Sequence, residues 1–222
     1  MHSEIHNWSV LGRGGSRMAT SALAIISVLM PIGHAQAQTL IVDDGDTIAI
    51  PDDYAPGTND WIQVKNGGSL SVMNVGITGT RTGSTNAVLQ VNGGTVTLSG
   101  SSVTMSKEDS WGNALMVSGD AEVMGTDVIL DSKGSSASSG SPSAGLYAAD
   151  NARVHLTGGA VTTSGQRGYA VRTSGNGWIT LEDVDVQTGG ADSYGVQAYG
   201  NENSDSLTEI TIIGGRVTTT GR

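Results

Sequence analysis

Residues Leu89–Leu98 read LQVNGGTVTL, and residues Ile62–Val72 read IQVKNGGSLSV, which is nearly the same phrase with Lys65 as one insertion. In both phrases apolar and polar residues alternate on either side of a glycine pair. This alternation is typical of short strands with one buried face, and Gly and Asn suit the tight corner between them. A phrase that recurs within one chain indicates a repeat architecture.

The first strand of this phrase occurs six times in the chain. Its triplets end at residues 64, 91, 117, 148, 173 and 198, so the spacings are 27, 26, 31, 25 and 25 residues. Each repeat holds two further alternating segments and no helical pattern. We therefore expect an all-β fold, a right-handed parallel β-helix with three short strands per coil and about six coils. The predicted inward row is Ile62, Leu89, Leu115, Leu146, Val171 and Val196.

The composition agrees with a narrow stacked column. Of 222 residues, 33 are Gly, 26 Ser and 23 Thr, whereas Phe and Cys are absent. The lack of Cys excludes a disulfide scaffold, a thiolate metal site and a cysteine nucleophile. The formal net charge is −10, and an acidic surface argues against nucleic acid as a partner.

The N-terminal segment has the features of a secretion signal. Arg13 and Arg17 precede an apolar run over residues 18–32, and Ala35-Gln36-Ala37 follows. We expect residues 1–37 to be a signal peptide, cleaved between Ala37 and Gln38. The alternative, a transmembrane anchor, needs about 20 apolar residues. Residues 38–61 are predicted to cap the coil, and residues 62–222 to form the β-helix repeats.

Three phrases resemble the passenger domains of Gram-negative autotransporters of the pertactin-like kind. They are Val91–Leu98, Gly158–Gly165 and Gly214–Gly221. The resemblance implies export through the periplasm, passage through an outer-membrane β-barrel translocator and folding at the cell surface or outside the cell. That barrel is missing from this chain, which ends at Arg222 after a third strand. We therefore expect a fragment of a longer protein.

Members of that family are often adhesins or virulence factors, so the resemblance implies a non-catalytic interaction scaffold whose partner is a host-surface protein or glycan. The competing hypothesis is a carbohydrate-active β-helix enzyme, such as a polysaccharide lyase or hydrolase. Its best acid pair is Asp183 and Asp185, expected on the outward side of one strand. Alignment of the repeats instead predicts that Asp183 stacks against Arg216 and faces Ala160, as an exposed ion pair.

The candidate binding residues lie on the outward side of the first strand. The predicted outward stack is Gln63, Gln90, Met116, Tyr147, Arg172 and Gln197, with Tyr169, Tyr194 and Tyr199 nearby. An exposed cluster of Tyr and Arg can stack on sugars or peptides. We expect Tyr147, Tyr169, Arg172 and Tyr194 to form the ligand-binding site. The alternative is that these rings only cover corners of the coil.

Other chemical candidates are weaker. His155 lies between two apolar residues and is predicted to point outward as a surface histidine. The run Asp43-Asp44-Gly45-Asp46 lacks the full spacing of a calcium loop and is interpreted as a charged turn. We expect no cofactor and no metal. The connection Ser132–Ala144 is the longest, and its Ser, Gly and Ala content predicts a flexible loop.

Overall fold

The computed structural model describes residues 39–50, 61–80, 86–108, 110–135, 143–200 and 207–221. These residues form eighteen strands and no helix, so none lies in a helix that could cross a membrane. The predicted signal peptide and its cleavage site at Ala37 and Gln38 lie outside the described residues. In chain order the strands are β1 (Thr39–Val42), β2 (Thr47–Ile50), β3 (Trp61–Lys65), β4 (Ser69–Met73), β5 (Gly76–Gly79), β6 (Ala87–Asn92), β7 (Thr95–Ser99), β8 (Ser102–Met105), β9 (Asn113–Ser118), β10 (Glu122–Ser132), β11 (Ala144–Ala148), β12 (Arg153–Thr163), β13 (Tyr169–Ser174), β14 (Trp178–Glu182), β15 (Asp185–Thr188), β16 (Tyr194–Tyr199), β17 (Glu209–Ile213) and β18 (Val217–Thr219).

The strands stack into three parallel faces. The first face has the order β1-β3-β6-β9-β11-β13-β16, and the second has the order β2-β4-β7-β10-β12-β14-β17. The third face runs through β5, β8, the ends of β10 and β12, then β15 and β18. From β3 to β16 the chain makes five full turns and visits the first face six times. The predicted all-β parallel solenoid is therefore confirmed.

The register repeats from coil to coil. Leu89 pairs with Ile62 on one side and Leu115 on the other, so equivalent residues lie about 4.8 Å apart along the axis. The region predicted as a cap follows the same scheme. Its strands β1 and β2 pair in parallel with β3 and β4, while residues 51–60 lie outside the described part of the chain.

The core is a single column of branched and small side chains. The predicted inward row is fully buried from Ile62 to Val171, and Val196 in the last first-face strand is half-buried. Burying one Leu or Val side chain contributes about 1.5–3 kcal/mol, and no coil can bury its row without neighbours. Stacking of coils therefore supplies the hydrophobic stabilisation.

The corners depart from the expected pattern in two places. The second and third strands of two repeats join into the eleven-residue strands β10 and β12, which turn the corner without a break at Asp127 (φ 52°) and Gly158 (φ 69°). At the first corner, Lys65 pairs with Asn92 and does not form the insertion. The extra residue lies in Asn66-Gly67, where the backbone has positive φ.

The acidic run at residues 43–46 forms the charged turn that its composition predicted. Its backbone closes through the Asp46 amide, which donates to the Asp43 carbonyl at 2.9 Å. The Asp43 carboxylate is held by Lys65 (3.0 Å) and by the side-chain amide of Asn66 (2.9 Å) in the next coil. These donors lower the pKa of Asp43 from 3.8 to about 2, with the hydrogen bond from Lys65 as the largest cause. One ion pair and one hydrogen bond thus hold the turn against the next coil.

Candidate ligand-binding surface

The outward column of the first face has the predicted membership. The pairing register joins Gln63 to Gln90, Gln90 to Met116, Met116 to Tyr147, Tyr147 to Arg172, and Arg172 to Gln197. Parallel, in-register pairing requires this arrangement, because the same position of each coil points to the same side. Two glutamines therefore occupy the N-terminal part of the column, the buried Met116 lies in its middle, and a ring, a cation and a third glutamine occupy its C-terminal part.

A slip in the alternation brings Tyr169 to the same surface. Ala170 and Val171 are both fully buried, so two consecutive residues of β13 face the core. Tyr169 and Arg172, three residues apart, consequently both lie on the outside. Tyr194 begins the next first-face strand and pairs with Tyr169.

The four predicted site residues are in contact as one stack. The rings of Tyr169 and Tyr194 are 5.0 Å apart between centroids, with an interplanar angle of 14°. The guanidinium carbon of Arg172 lies 5.3 Å from the ring centroid of Tyr147 and 5.5 Å from that of Tyr169. The cation is therefore held between two aromatic faces, at a distance typical of cation–π contacts.

The charge of Arg172 has no acidic partner among the described residues. The ion pairs of that part of the chain join Lys65 to Asp43, His155 to Glu182 and Arg167 to Asp192. The Nε atom of Arg172 is buried and makes no hydrogen bond there. The Tyr147 hydroxyl, in contrast, is hydrogen-bonded to Ser174 Oγ at 2.8 Å. The stack is thus ordered by its own contacts, and none of the ion pairs within the described residues includes its cation.

The exposed end of the stack is aromatic. Tyr194 is 56% exposed, and Tyr199 at the other end of β16 is 57% exposed. Rings with an apolar face and a hydroxyl are suited to contact both protein and sugar surfaces. The surface formed by Tyr147, Tyr169, Arg172 and Tyr194, which we call the tyrosine–arginine stack, can therefore combine ring stacking with contact to an anion.

The predicted acid pair does not form. Asp183 lies at a corner with φ 54° and precedes β15, whereas Asp185 is the residue that pairs with Ala160. The register that joins Val186 to Val217 places Arg216 one coil beyond Asp185, so the predicted partner of Asp183 was wrong by two residues. No ion pair joins either aspartate to Arg216 within the described ranges. The two carboxylates therefore do not share the strand on which the catalytic hypothesis placed them.

His155 points outward, as predicted. It lies in β12 between Met124 of the previous coil and Thr180 of the next, and its Nε2 is 3.3 Å from a carboxylate oxygen of Glu182. Its side chain is 44% exposed. In the part of the chain that the structure describes, no three His, Asp or Glu side chains group so as to hold a metal ion.

The second face carries a further cluster that the sequence reading missed. Trp178, Arg153 and Glu122 occupy one outward column, because Glu122 pairs with Arg153 and Arg153 with Trp178. The guanidinium of Arg153 lies 5.1 Å from the Trp178 ring centroid. The three residues share the first position of a second-face strand, but they differ in type and so are not recognisable as a repeat in the sequence.

Comparison with protein-family models, with curated proteins and with solved structures gives no match for this chain.

Proposed function

We propose that this chain is a non-catalytic interaction scaffold, the exported passenger region of an autotransporter-like protein, exposed at the cell surface or released from it. The tyrosine–arginine stack contacts the ligand, a host-surface protein or glycan. The single observation that carries this role is the guanidinium of Arg172, which lies between Tyr147 and Tyr169 and has no acidic partner among the described residues. A parallel solenoid suits such a task, since its stacked coils present side chains on a rigid external face.

The secretory part of the proposal rests on the basic and apolar segments before Ala37 and on the resemblance of the glycine-rich repeats. It is tested by expressing the full chain in a Gram-negative bacterium. We expect the periplasmic or extracellular product to begin at Gln38, as read by N-terminal sequencing. A full-length product that begins at Met1 or Met18 and stays in the cytoplasm would overturn export.

The contact role is tested with the exported product on cultured epithelial cells. We expect saturable binding that falls about tenfold in Arg172→Ala and in Tyr194→Ser. Tyr199→Ser is the matched control, because Tyr199 lies on the same strand with nearly the same exposure as Tyr194. If Arg172→Ala, Tyr194→Ser and Tyr199→Ser all bind as the parent does, the tyrosine–arginine stack is not part of the interface.

Two further experiments identify the class of ligand and test the enzyme hypothesis. Pretreatment of the cells with protease or with glycosidases assigns the ligand to protein or glycan. Release of reducing ends or of unsaturated products from polygalacturonate by the exported protein would favour the enzyme hypothesis. In that case Asp183→Asn and Asp185→Asn each report whether that carboxylate contributes.

A further inference from the structure

We propose that the second face holds a separate binding groove for a linear, neutral oligosaccharide. The groove runs along the axis of the solenoid between two outward rows of side chains. One row is Asp120, Asn151 and Asn176, and the other is Glu122, Arg153 and Trp178. With the backbone at Leu207 they enclose a depression of about 610 Å³. We call it the Trp178 groove.

The first row is a ladder of side-chain amides. The Asn176 amide donates to Asn151 Oδ1 at 2.9 Å, and the Asn151 amide donates to Asp120 Oδ1 at 3.2 Å. This chain of bonds fixes the orientation of both amides. It leaves donor and acceptor capacity on Asn151 and Asn176 and acceptor capacity on the Asp120 carboxylate. Such planar groups at regular intervals can bond hydroxyls that also recur at regular intervals.

The second row supplies an aromatic surface. Trp178 is 40% exposed, and its Nε1 donates to the Leu207 carbonyl at 3.0 Å. That bond and the Arg153 guanidinium beside the ring hold the indole in place. An exposed but anchored ring binds with a small loss of side-chain entropy, and it suits the apolar face of a sugar ring.

The dimensions suit a chain rather than a single small molecule. The lining residues belong to four successive coils, so the groove extends over about 14 Å at about 4.8 Å per coil. Residues between the two rows are small and buried, namely Ala121 and Ala152, which keeps the space between the rows open.

The chemistry of the rows favours a neutral sugar over an acidic one. Asp120 and Glu122 carry two negative charges against the single positive charge of Arg153, on a chain whose formal net charge is −10. An anionic glycan would meet repulsion at this end of the molecule.

An extended peptide is disfavoured by the direction of the groove. Peptides commonly bind sheets by adding a strand to an unpaired edge. Here the groove crosses the strands, and β12 is already paired on both sides, with β10 and with β14. The backbone along the groove therefore offers no edge for strand addition.

The test uses the full chain and a panel of neutral hexasaccharides, namely cellohexaose, maltohexaose, laminarihexaose and N-acetyl chitohexaose. Isothermal titration calorimetry measures the affinity, and acrylamide quenching of tryptophan fluorescence measures how accessible the Trp178 indole is. We expect at least one of these sugars to bind and to protect Trp178 from quenching, in a background in which Trp8, Trp61 and Trp111 are replaced by Tyr. Binding should change little between 50 mM and 500 mM salt, because the ligand is uncharged.

Variants decide whether the groove is the site. We expect Trp178→Ala to weaken binding about tenfold and Asn176→Ala to weaken it severalfold, with unchanged circular dichroism spectra. Tyr199→Ser on the first face changes an exposed ring outside the tyrosine–arginine stack, and this control should bind as the parent does. Sugar binding that falls in Tyr194→Ser but not in Trp178→Ala would assign the sugar to the stack and overturn the groove, so failure of the groove and failure of the proposed contact stack are distinguishable. The proposal is overturned if no neutral hexasaccharide binds at millimolar concentration. It is equally overturned if Trp178→Ala leaves binding unchanged, or if only polygalacturonate or extended peptides bind.

Discussion

The carboxylate of Asp127 occupies the space that a Cβ atom at Gly158 would need in the next coil. Both residues belong to one column at the corner between the second and third faces. Each residue that the structure describes in this column has a positive φ. The column alternates between a short polar side chain and glycine, in the order Asn74, Gly100, Asp127, Gly158, Asp183 and Gly214. Each polar side chain lies over the glycine that follows it. The alternation also keeps the Asp127 and Asp183 carboxylates two coils apart, about 10 Å.

Replacement of Gly158 by alanine tests this packing. A non-glycine residue at φ 69° costs about 1–3 kcal/mol, and the new Cβ would overlap Oδ1 of Asp127. We expect Gly158→Ala to lower the free energy of unfolding by about 1–3 kcal/mol, measured by urea denaturation.

The control for this variant is Gly189→Ala. Gly189 has no positive φ, and the nearest atom to its Cβ position is Thr220 Oγ1 at 3.8 Å, so stability should change by less than about 0.5 kcal/mol. The double variant Asp127→Ala/Gly158→Ala should recover only that part of the lost stability that comes from overlap between the new Cβ atom and the Asp127 carboxylate. Equal stability of Gly158→Ala and the parent would contradict the role assigned to the corner.

Repeat spacing was sufficient to predict the parallel solenoid and the outward column from Gln63 to Gln197, because in-register pairing leaves no other placement for equivalent residues. The position of Asp183 was not predictable in the same way. Asp183-Val184-Asp185 by itself fits a strand in either register. The corner at Asp183 is marked only by the shift of the buried residues from Ile179 and Leu181 to Val184 and Val186, which the alignment of repeats did not take into account.

The stack itself was only partly predictable. Its members were named from their exposure, but the contact between Tyr169 and Arg172 depends on the burial of two consecutive residues, Ala170 and Val171. Strict alternation would have placed those two side chains on opposite faces. The same pair of consecutive buried residues recurs as Val88-Leu89 in β6 and Ala114-Leu115 in β9, so the slip belongs to the repeat and strict alternation was the wrong expectation for this strand.

Thr173 carries a buried hydroxyl that makes no hydrogen bond within the described residues. Burial of such a group without a partner costs about 1–3 kcal/mol, and Val has nearly the same shape. We expect Thr173→Val to raise the free energy of unfolding by about 1 kcal/mol in urea denaturation. In the control Thr162→Val, a hydrogen bond of 2.5 Å to Asp131 is lost, and stability should fall. A loss of stability in Thr173→Val would show that its hydroxyl is satisfied in solution.

Leu115 lies at the middle of the buried first-face row, between Leu89 and Leu146. Its removal leaves a cavity that cannot close, because the ladders above and below hold the coil spacing. We expect Leu115→Ala to cost about 2–5 kcal/mol, measured by urea denaturation with an unchanged m-value. Met124→Ala, at a site that is 53% exposed, should change stability by less than about 0.5 kcal/mol. A small effect of Leu115→Ala would mean that the coils can slide together and fill the space.

The lowered pKa of Asp43 predicts that the protein loses stability as the pH falls. The pKa of Asp43 is lowered from 3.8 to about 2, so its stabilising contacts with Lys65 and Asn66 are complete above pH 3.8 and are lost as the pH falls towards 2. Carbon-13 NMR titration of the Asp43 carboxyl group should give the lowered value. In Lys65→Met the pKa should rise towards 3.8, because the largest lowering contact is gone. Lys107→Met removes an equal charge far from the turn and should leave the titration unchanged. A titration midpoint of Asp43 near 3.8 in the parent, or one that does not change in Lys65→Met, would show that Asp43 does not contact Lys65 in solution.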